Sequence, residues 1–131
     1  MGHDFTAASK FPKSKRLLKQ SDFQRVYEKG RRQFTGNMTV FYLRREASET
    51  GSAPRVGFTV GKVLGGAVAR NRIKRRMRAA VRLCWPEGQG PVDVVLNPRK
   101  SVLTLPFAEL MDEVARALRL AVQRARAAER K

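Results

Sequence analysis

The segment from Arg70 to Arg78 reads RNRIKRRMR; six of its nine residues are Lys or Arg, and it has no carboxylate. Guanidinium groups pair with phosphate oxygens in a bidentate geometry, so this composition suits a polyanionic partner. A merely solvated helix face usually balances its charge with Glu–Lys pairs along the helix, and none is present here. We therefore interpret the segment as one side of a phosphate-binding surface, with a solvated face or a nuclear-localisation run as the alternatives.

Apolar residues recur at helical spacing through the same segment, namely Ile73, Met77, Ala80, Val81 and Cys84. Arg75, Arg78 and Arg82 fall on the opposite face. This pattern predicts an amphipathic helix with a basic polar face. A nuclear-localisation run would not require the apolar stripe.

Aromatic residues form a second candidate site. Phe23 and Tyr27 share one face of a short predicted helix that ends near Gly30, a residue suited to a left-handed stop. Phe41 lies on a predicted strand. Spacing alone favours ordinary core packing for these rings, and the alternative is a platform on which single-stranded bases stack.

Hydrolytic chemistry finds little support in the residue types. The chain has one histidine, His3, and one cysteine, Cys84, far apart in sequence. They cannot complete a Ser-His-Asp set in the body of the chain or a zinc site of the usual spacing. No cluster of carboxylates is visible that would hold two metal ions. We expect no catalytic residue and no metal ligand in this chain.

Composition indicates one basic domain. Of 131 residues, 42% are hydrophobic, which is enough for a single core. The formal net charge of +17 is explained most readily by a polyanion, with nucleic acid ahead of an anionic membrane surface. A single cysteine excludes an internal disulfide, and no apolar run is long enough to cross a bilayer. We expect a cytoplasmic protein with no membrane partner.

The elements that must position these residues follow the order α-β-β-α-β-α. Strands are predicted at residues 37–44 and 55–62, as an antiparallel pair, and at residues 92–97; a further strand or an extension of the first is expected near residues 33–36. A final helix begins near Phe107. The result is an α+β fold, a single two-layer sandwich of helices on a small sheet. Its predicted boundaries are a flexible basic N-terminal arm at 1–15, an RNA-binding domain at 16–122 and a basic C-terminal tail at 123–131.

Four segments carry a family resemblance: RLLKQSDFQRVYEKG, RVGFTVGK, AVARNRIKRRMR and VDVVLNPR. In this order they resemble the bacterial ribonuclease P protein component, over most of the chain. The Arg70-Asn71-Arg72 core and the DFxxVYxxG signature are the specific parts of the match. The resemblance implies an α/β sandwich with a left-handed βαβ crossover, against the usual right-handed preference.

The resemblance also implies a function. The family protein is the non-catalytic subunit of a ribonucleoprotein endonuclease that removes the 5′ leader of precursor tRNA. Its RNA subunit is the ribozyme and holds most of the catalytic Mg²⁺. The expected partners are therefore the catalytic RNA and precursor tRNA, and no DNA.

Site residues are carried over by position. Contact with the catalytic RNA is expected from Arg70, Asn71, Arg72, Lys74, Arg75 and Arg78. A cleft for the leader is expected from Phe23, Tyr27, Phe41, Arg55, Thr59 and Lys62. With the resemblance, stacking becomes the favoured interpretation for Phe23 and Tyr27, and less so for Phe41.

The chain departs from the family pattern at three positions. Val63 and Gly66 stand where the family commonly has Lys and Asn, and Asn97 where it often has a basic residue. Arg76 and Arg99 are candidates to supply the missing charge. A general RNA-binding protein of the ribosomal type fits the composition equally well, but the ordered signatures do not favour it. A DNA-binding protein fits less well, because clustered aromatics suit single strands.

Overall fold

The computed structural model describes residues 20–45, 54–85 and 90–129. The predicted N-terminal arm and the first residues of the predicted domain lie outside these ranges. Helix α1 (Gln20–Lys29) is the short helix expected from the aromatic pattern. It buries Val26 completely and half-buries Phe23, so one face packs while the other carries polar residues.

Gly30 ends α1 for a different reason from the one predicted. Among the described glycines, positive φ is found at Gly65 and Gly90, so the left-handed stop expected at Gly30 is wrong. A Cβ atom at Gly30 would lie 2.5 Å from the carbonyl oxygen of Tyr42 and 2.6 Å from that of Val26. The glycine is needed because the chain passes close to the backbone of a neighbouring strand.

In the described part of the chain the sheet has four strands: β1 (Arg31–Phe34), β2 (Met38–Arg44), β3 (Arg55–Phe58) and β4 (Val92–Pro98). Strand β1 confirms the further strand expected in this region. The spatial order is β1-β2-β4-β3, with β3 and β4 parallel and the other neighbours antiparallel.

The predicted pairing of the two strands at 37–44 and 55–62 is wrong. β4 lies between β2 and β3, which run antiparallel to each other but are not paired. The reason lies in the burial of β4: Val92 to Leu96 are all buried, so this strand needs cover on both faces and a partner at both edges. A central position gives β4 a hydrogen-bonding partner at both edges.

Two long helices cover one face of the sheet. α2 (Ala67–Leu83) connects β3 to β4, and α3 (Phe107–Glu129) follows β4. The apolar stripe predicted for α2 is confirmed, because Ile73 and Met77 are fully buried, and Leu110 and Leu118 of α3 are fully buried in the same core. The β3-α2-β4 unit is a parallel crossover, whose left-handed sense stays a prediction from the resemblance.

The C-terminal helix extends beyond the predicted end of the domain at residue 122. α3 continues through residue 122 to Glu129, and Ala125 is 3% exposed within the core. The predicted boundary between domain and tail therefore falls inside a helix.

The other face of the sheet is only partly covered. Residues directly opposite each other in the ladder share a face, so Phe41 and Val95 lie together on the side of α1. Val26 and Val95 form a small second core there, with Phe23, Phe41 and Leu43 packed around it. Since α1 has only 10 residues, the described parts of the chain leave the rest of this face open.

Candidate nucleic-acid interface

The three predicted cleft aromatics come together at the edge of α1. The rings of Tyr27 and Phe41 meet edge to face, with centroids 4.9 Å apart and an interplanar angle of 84°. Phe23 and Phe41 also pack against the small core formed by Val26 and Val95. These rings are therefore partly core and partly surface, and Tyr27 is 37% exposed. The core-packing interpretation therefore holds in part, and base stacking on the exposed part stays a prediction.

A groove of about 560 Å³ opens beside these rings. It is lined by Gln20, Phe23, Gln24, Tyr27 and Thr59. One wall is therefore the exposed side of α1, and the other is the chain immediately after β3. A flat, unpaired base fits such an aromatic wall better than a double helix does.

A triangle of polar groups fixes Tyr27. Its hydroxyl donates to Oδ1 of Asn97 at 3.0 Å, and the Thr59 hydroxyl donates to the same oxygen at 2.9 Å. The two hydroxyl oxygens lie 3.0 Å apart. The hydroxyls of Tyr27 and Thr59 have two protons for the three contacts in this triangle, so one contact at a time has no proton. The hydroxyl oxygens can therefore still accept hydrogen bonds. That capacity is available to a ribose hydroxyl or a base amino group.

Asn97 is a site residue that sequence reasoning missed. In the sequence it stands out only as a departure from the family pattern, at the end of a mostly apolar strand. The backbone nitrogen of Thr59 donates to the carbonyl of Leu96 at 3.2 Å, which continues the β3–β4 ladder and places Thr59 beside Asn97. Only the parallel pairing of these strands reveals this proximity.

Arg55 lies behind the groove and not along it. Its guanidinium donates twice to Asp93, at 2.9 Å to each carboxylate oxygen, and lies 3.6 Å from Asp22. Its side chain is only 13% exposed. The hydrogen bonds to Asp93 raise the pKa of Arg55, although burial opposes this. A leader contact by Arg55 stays a prediction, whereas the geometry gives it a role in joining α1 to the sheet.

A second arginine shares the same carboxylate. Arg45 donates to Asp93 at 3.0 Å, and both side chains are almost completely buried. Burial lowers the pKa of Arg45, and the adjacent Arg55 acts in the same direction, while the Asp93 charge opposes both. This buried cluster was also missed, although a lone carboxylate in an otherwise apolar strand was its signal.

The predicted contacts to the catalytic RNA all lie on α2. Asn71, Arg72 and Arg75 are exposed, and Arg70, Lys74 and Arg78 are half-buried. The Arg70 side chain donates through Nε to the carbonyl of Gly65 at 3.1 Å, which ties the helix to the turn before it. The polar face of α2 is thus cationic in the folded chain, as the spacing predicted.

Arg76 does not belong to that face. Its Nε donates to the carbonyl of Val102 at 3.0 Å, and its terminal nitrogen bonds to that of Leu105. Its guanidinium also lies 5.9 Å from the centroid of the Phe107 ring. The side chain anchors α2 to the segment before α3, so it is poorly placed to replace charge missing elsewhere.

The turn between the groove and the basic helix carries the remaining predicted residue. Lys62 is exposed at the start of a short 3₁₀ helix (Lys62–Leu64) between β3 and α2. Val63, where the family commonly has Lys, is 92% exposed. Gly65 has φ of 129°, a conformation that side chains rarely adopt, and it allows the sharp entry into α2.

Comparison with known proteins decides the family. The Ribonuclease P family model matches residues 11–122. The chain belongs to the ribonuclease P protein family. A ribonuclease P protein component from Symbiobacterium thermophilum is 42% identical over 102 residues, which cover 78% of this chain and 86% of the relative. One from Ruegeria pomeroyi is 47% identical over 105 residues, covering 79% and 82%.

Solved structures of the family share the fold. The RNase P protein of Staphylococcus aureus superposes with a TM-score of 0.66 at 26% identity, covering 82% of this chain and 94% of that one. The RNase P protein of Thermotoga maritima gives a TM-score of 0.64 at 23% identity, covering 82% and 96%. The ribonuclease P resemblance and the α+β fold are thereby confirmed.

Two further observations concern the described residues. None of their helices is long and apolar enough to span a membrane. They also contain no group of three or more His, Cys, Asp or Glu side chains arranged to hold a metal ion. The buried carboxylates have other partners: Asp22 and Asp93 bind arginines, and Glu113 binds Thr35 and Asn37.

Proposed function

We propose that this ribonuclease P protein component binds two RNA strands with two surfaces. The basic face of α2 binds the catalytic RNA, and the groove beside α1 holds the single-stranded 5′ leader of precursor tRNA. The protein thereby supports endonucleolytic removal of the leader. The observation that carries the proposal is the groove itself, with an aromatic wall and a hydroxyl pair fixed by Asn97.

The groove has the features of a single-strand site. Tyr27 is partly exposed at the groove, and base–aromatic stacking is worth about 1–3 kcal/mol per base. The hydroxyls of Tyr27 and Thr59 lie beside this ring and accept hydrogen bonds from ribose or base donors. Stacking of this kind tolerates any base, which suits a subunit that must accept many leaders.

The basic helix has the features of a backbone site. Arg72 and Arg75 are exposed on α2, and half-buried Arg70, Lys74 and Arg78 flank them on the same helix. Contacts of Arg with phosphate position an RNA without reading its sequence. Asn71 adds a neutral donor and acceptor to this surface. Such a surface supports binding of a large structured RNA through its phosphates.

The chemistry is assigned to the RNA subunit. In this proposal Mg²⁺ is held mainly by the catalytic RNA, and no protein side chain takes part in phosphodiester hydrolysis. The carboxylates Asp22, Asp93 and Glu113 do not fit a magnesium site, because their oxygens are bound by arginines or by Thr35 and Asn37. A cytoplasmic location completes the proposal, supported by the RNA partner and the single cysteine.

The test is cleavage of precursor tRNA at low Mg²⁺ concentration. Three mixtures are compared: the chain alone, a bacterial catalytic RNA alone, and the two together. We expect leader removal at an appreciable rate only in the combined mixture. Cleavage by the chain alone would place an active site in the protein. No stimulation of the RNA would leave only general RNA binding.

A further inference from the structure

An exposed aromatic side chain lies among cations at the far edge of the sheet. Phe34, at the end of β1, is 60% exposed. The guanidinium carbon of Arg32 lies 5.4 Å from its ring centroid, and that of Arg99 lies 5.9 Å from it. Neither the aromatic pattern nor the family resemblance drew attention to this ring. We call Phe34, Arg32 and Arg99 the β1 patch.

The β1 patch lies on the same face of the sheet as the groove. In the ladder Arg32 is opposite Phe41, and Phe34 is opposite Thr39. Thr39 is in turn opposite Asn97 on β4, and Asn97 holds Tyr27 of the groove wall. Opposite residues share a face, so Asn97, Thr39 and Phe34 form one row across the open half of the sheet. The row from Asn97 to Phe34 spans two interstrand spacings, or about 10 Å.

One cation of the patch, Arg99, is held in place by hydrogen bonds. The Arg99 guanidinium donates to the carbonyls of Thr35 at 3.3 Å and Gly36 at 3.1 Å, in the turn between β1 and β2. Glu113 approaches the same turn from α3, but its oxygens are bound by Thr35 and Asn37. The positive charge beside Phe34 is therefore fixed near an exposed ring, the combination that binds single-stranded nucleic acid.

We propose that the β1 patch is a second stacking site for the RNA strand that occupies the groove. Phe34 stacks one further unpaired base, and Arg32 and Arg99 bind the phosphates beside it. The strand crosses the open face of the sheet along Thr39 to reach the patch. This inference rests on the proposed role of the groove, and it extends the leader site from the α1 edge to the β1 edge.

The test uses the reconstituted holoenzyme and a series of precursor tRNAs with leaders of increasing length. Phe34→Ala should leave affinity for the shortest leaders unchanged and weaken binding of long leaders by about 5- to 30-fold, the lower part of the range for base stacking. Phe34→Tyr keeps a ring and should bind long leaders like the parent. Because Phe34 is largely exposed, both variants should fold, and thermal unfolding checks this.

A charge variant has a matched control on the same strand. The affinity for long leaders falls with salt, and the slope of log affinity against log salt concentration measures this dependence. Arg32→Ala should make that slope shallower by about 0.7 for each phosphate that the side chain neutralises. Arg31 is also exposed, but it lies opposite Tyr42 and so belongs to the other face of the sheet. Arg31→Ala should leave the salt dependence of leader binding unchanged. If Arg32→Ala and Arg31→Ala changed the salt dependence equally, Arg32 would not make a specific contact with the leader.

The outcomes separate this inference from the proposed function. Tyr27→Ala should weaken binding of short and long leaders alike, whereas Phe34→Ala affects long leaders only. An unchanged affinity of Phe34→Ala for every leader would overturn the second site while leaving the groove intact. A loss that is independent of leader length would place Phe34 against the catalytic RNA and also overturn it. If Tyr27→Ala left the affinity for all leaders unchanged, the proposed role of the groove would be wrong.

Discussion

Tyr27 combines both roles that an aromatic residue in this groove could have. Its ring packs against Phe41, and in the proposed leader site its exposed part stacks on a base. Its hydroxyl contacts Thr59 and Asn97, so the ring is held at a fixed angle before RNA arrives. Pre-organisation of this kind reduces the entropy lost on binding.

Ring and hydroxyl can be separated by substitution. Tyr27→Phe keeps the stacking surface and should cost about 0.5–1.5 kcal/mol in the free energy of unfolding, the usual contribution of one hydrogen bond. Its leader affinity should fall less than that of Tyr27→Ala, which also loses the stack. Equilibrium unfolding and leader-binding titrations measure the two effects. Equal losses of leader affinity in both variants would show that the hydroxyl, and not the ring, binds the leader.

Glu113 makes the turn before β2 sensitive to acid. Burial disfavours its ionised form, but hydrogen bonds from Asn37 and Thr35, together with the charge of Arg116, outweigh burial and hold the pKa of Glu113 below its usual value. A depressed pKa means that ionised Glu113 stabilises the fold above its unfolded-state pKa of about 4.3. This contribution is lost as pH falls through the lower folded-state value.

The expected signature is a pH-dependent difference between parent and variant. Glu113→Gln should be less stable than the parent at neutral pH by about 1–3 kcal/mol, because buried donors lose an ionised acceptor. The difference should shrink as the pH falls below about 4. Urea unfolding between neutral and acid pH measures it. A difference that is the same at every pH would contradict an ionised Glu113 in the folded state.

At the scale of elements, the buried ion cluster fixes α1 on the sheet. Arg45 and Arg55 share the carboxylate of Asp93, which is fully buried, and Arg55 also reaches Asp22 on α1. Arg25 pairs with Asp22 at 3.1 Å nearer the surface. The distance between α1 and β3, and so the width of the groove, depends on this chain of charges.

Removing the central carboxylate should be costly. Asp93→Asn removes the buried charge that Arg45 and Arg55 share and should destabilise the fold by about 3–5 kcal/mol. Arg25→Ala, at the more exposed end of the same cluster, should cost about 0–1 kcal/mol. Urea denaturation of both variants tests the contrast. A mild effect of Asp93→Asn would mean that other groups hold α1 in place.

The basic face of α2 makes a prediction about salt. Replacing both Arg72 and Arg75, which are exposed, by alanine should weaken binding to the catalytic RNA and reduce the salt slope by roughly one unit per residue. Arg119→Ala with Arg124→Ala removes the same charge from exposed positions on α3. Affinities measured over a range of salt concentrations compare the pairs. If both double variants reduced the salt slope equally, the catalytic RNA would be attracted by the overall charge and not bound by the α2 face.

For the whole molecule, the spacing of apolar residues predicted the helices, whose contacts are local in sequence. α2 and α3 follow directly from apolar residues at helical spacing, and the basic face of α2 follows from what remains on the other side. The order of the strands in the sheet could not be predicted from this spacing. β3 and β4 pair across the whole of α2, and neither a turn nor an alternating pattern records so distant a partner.

The same limit applies to the site. The aromatic wall was predicted from α1 and from the family resemblance, whereas the contacts of Asn97, Asp93 and Phe34 depend on which strands are neighbours. Arg55 shows the converse. The family resemblance places it in the leader cleft, and that contact stays a prediction; its bonds to a buried carboxylate across the parallel ladder were not expected.

In the proposed function the groove beside α1 holds the leader while α2 binds the catalytic RNA. The most direct measurement is the affinity of the reconstituted holoenzyme for precursor tRNA and for the same tRNA without its leader, in the parent and in Tyr27→Ala. We expect the parent to bind the precursor more tightly. Tyr27→Ala should lose most of this preference while retaining its affinity for the catalytic RNA. An undiminished preference for the leader in Tyr27→Ala would contradict the account.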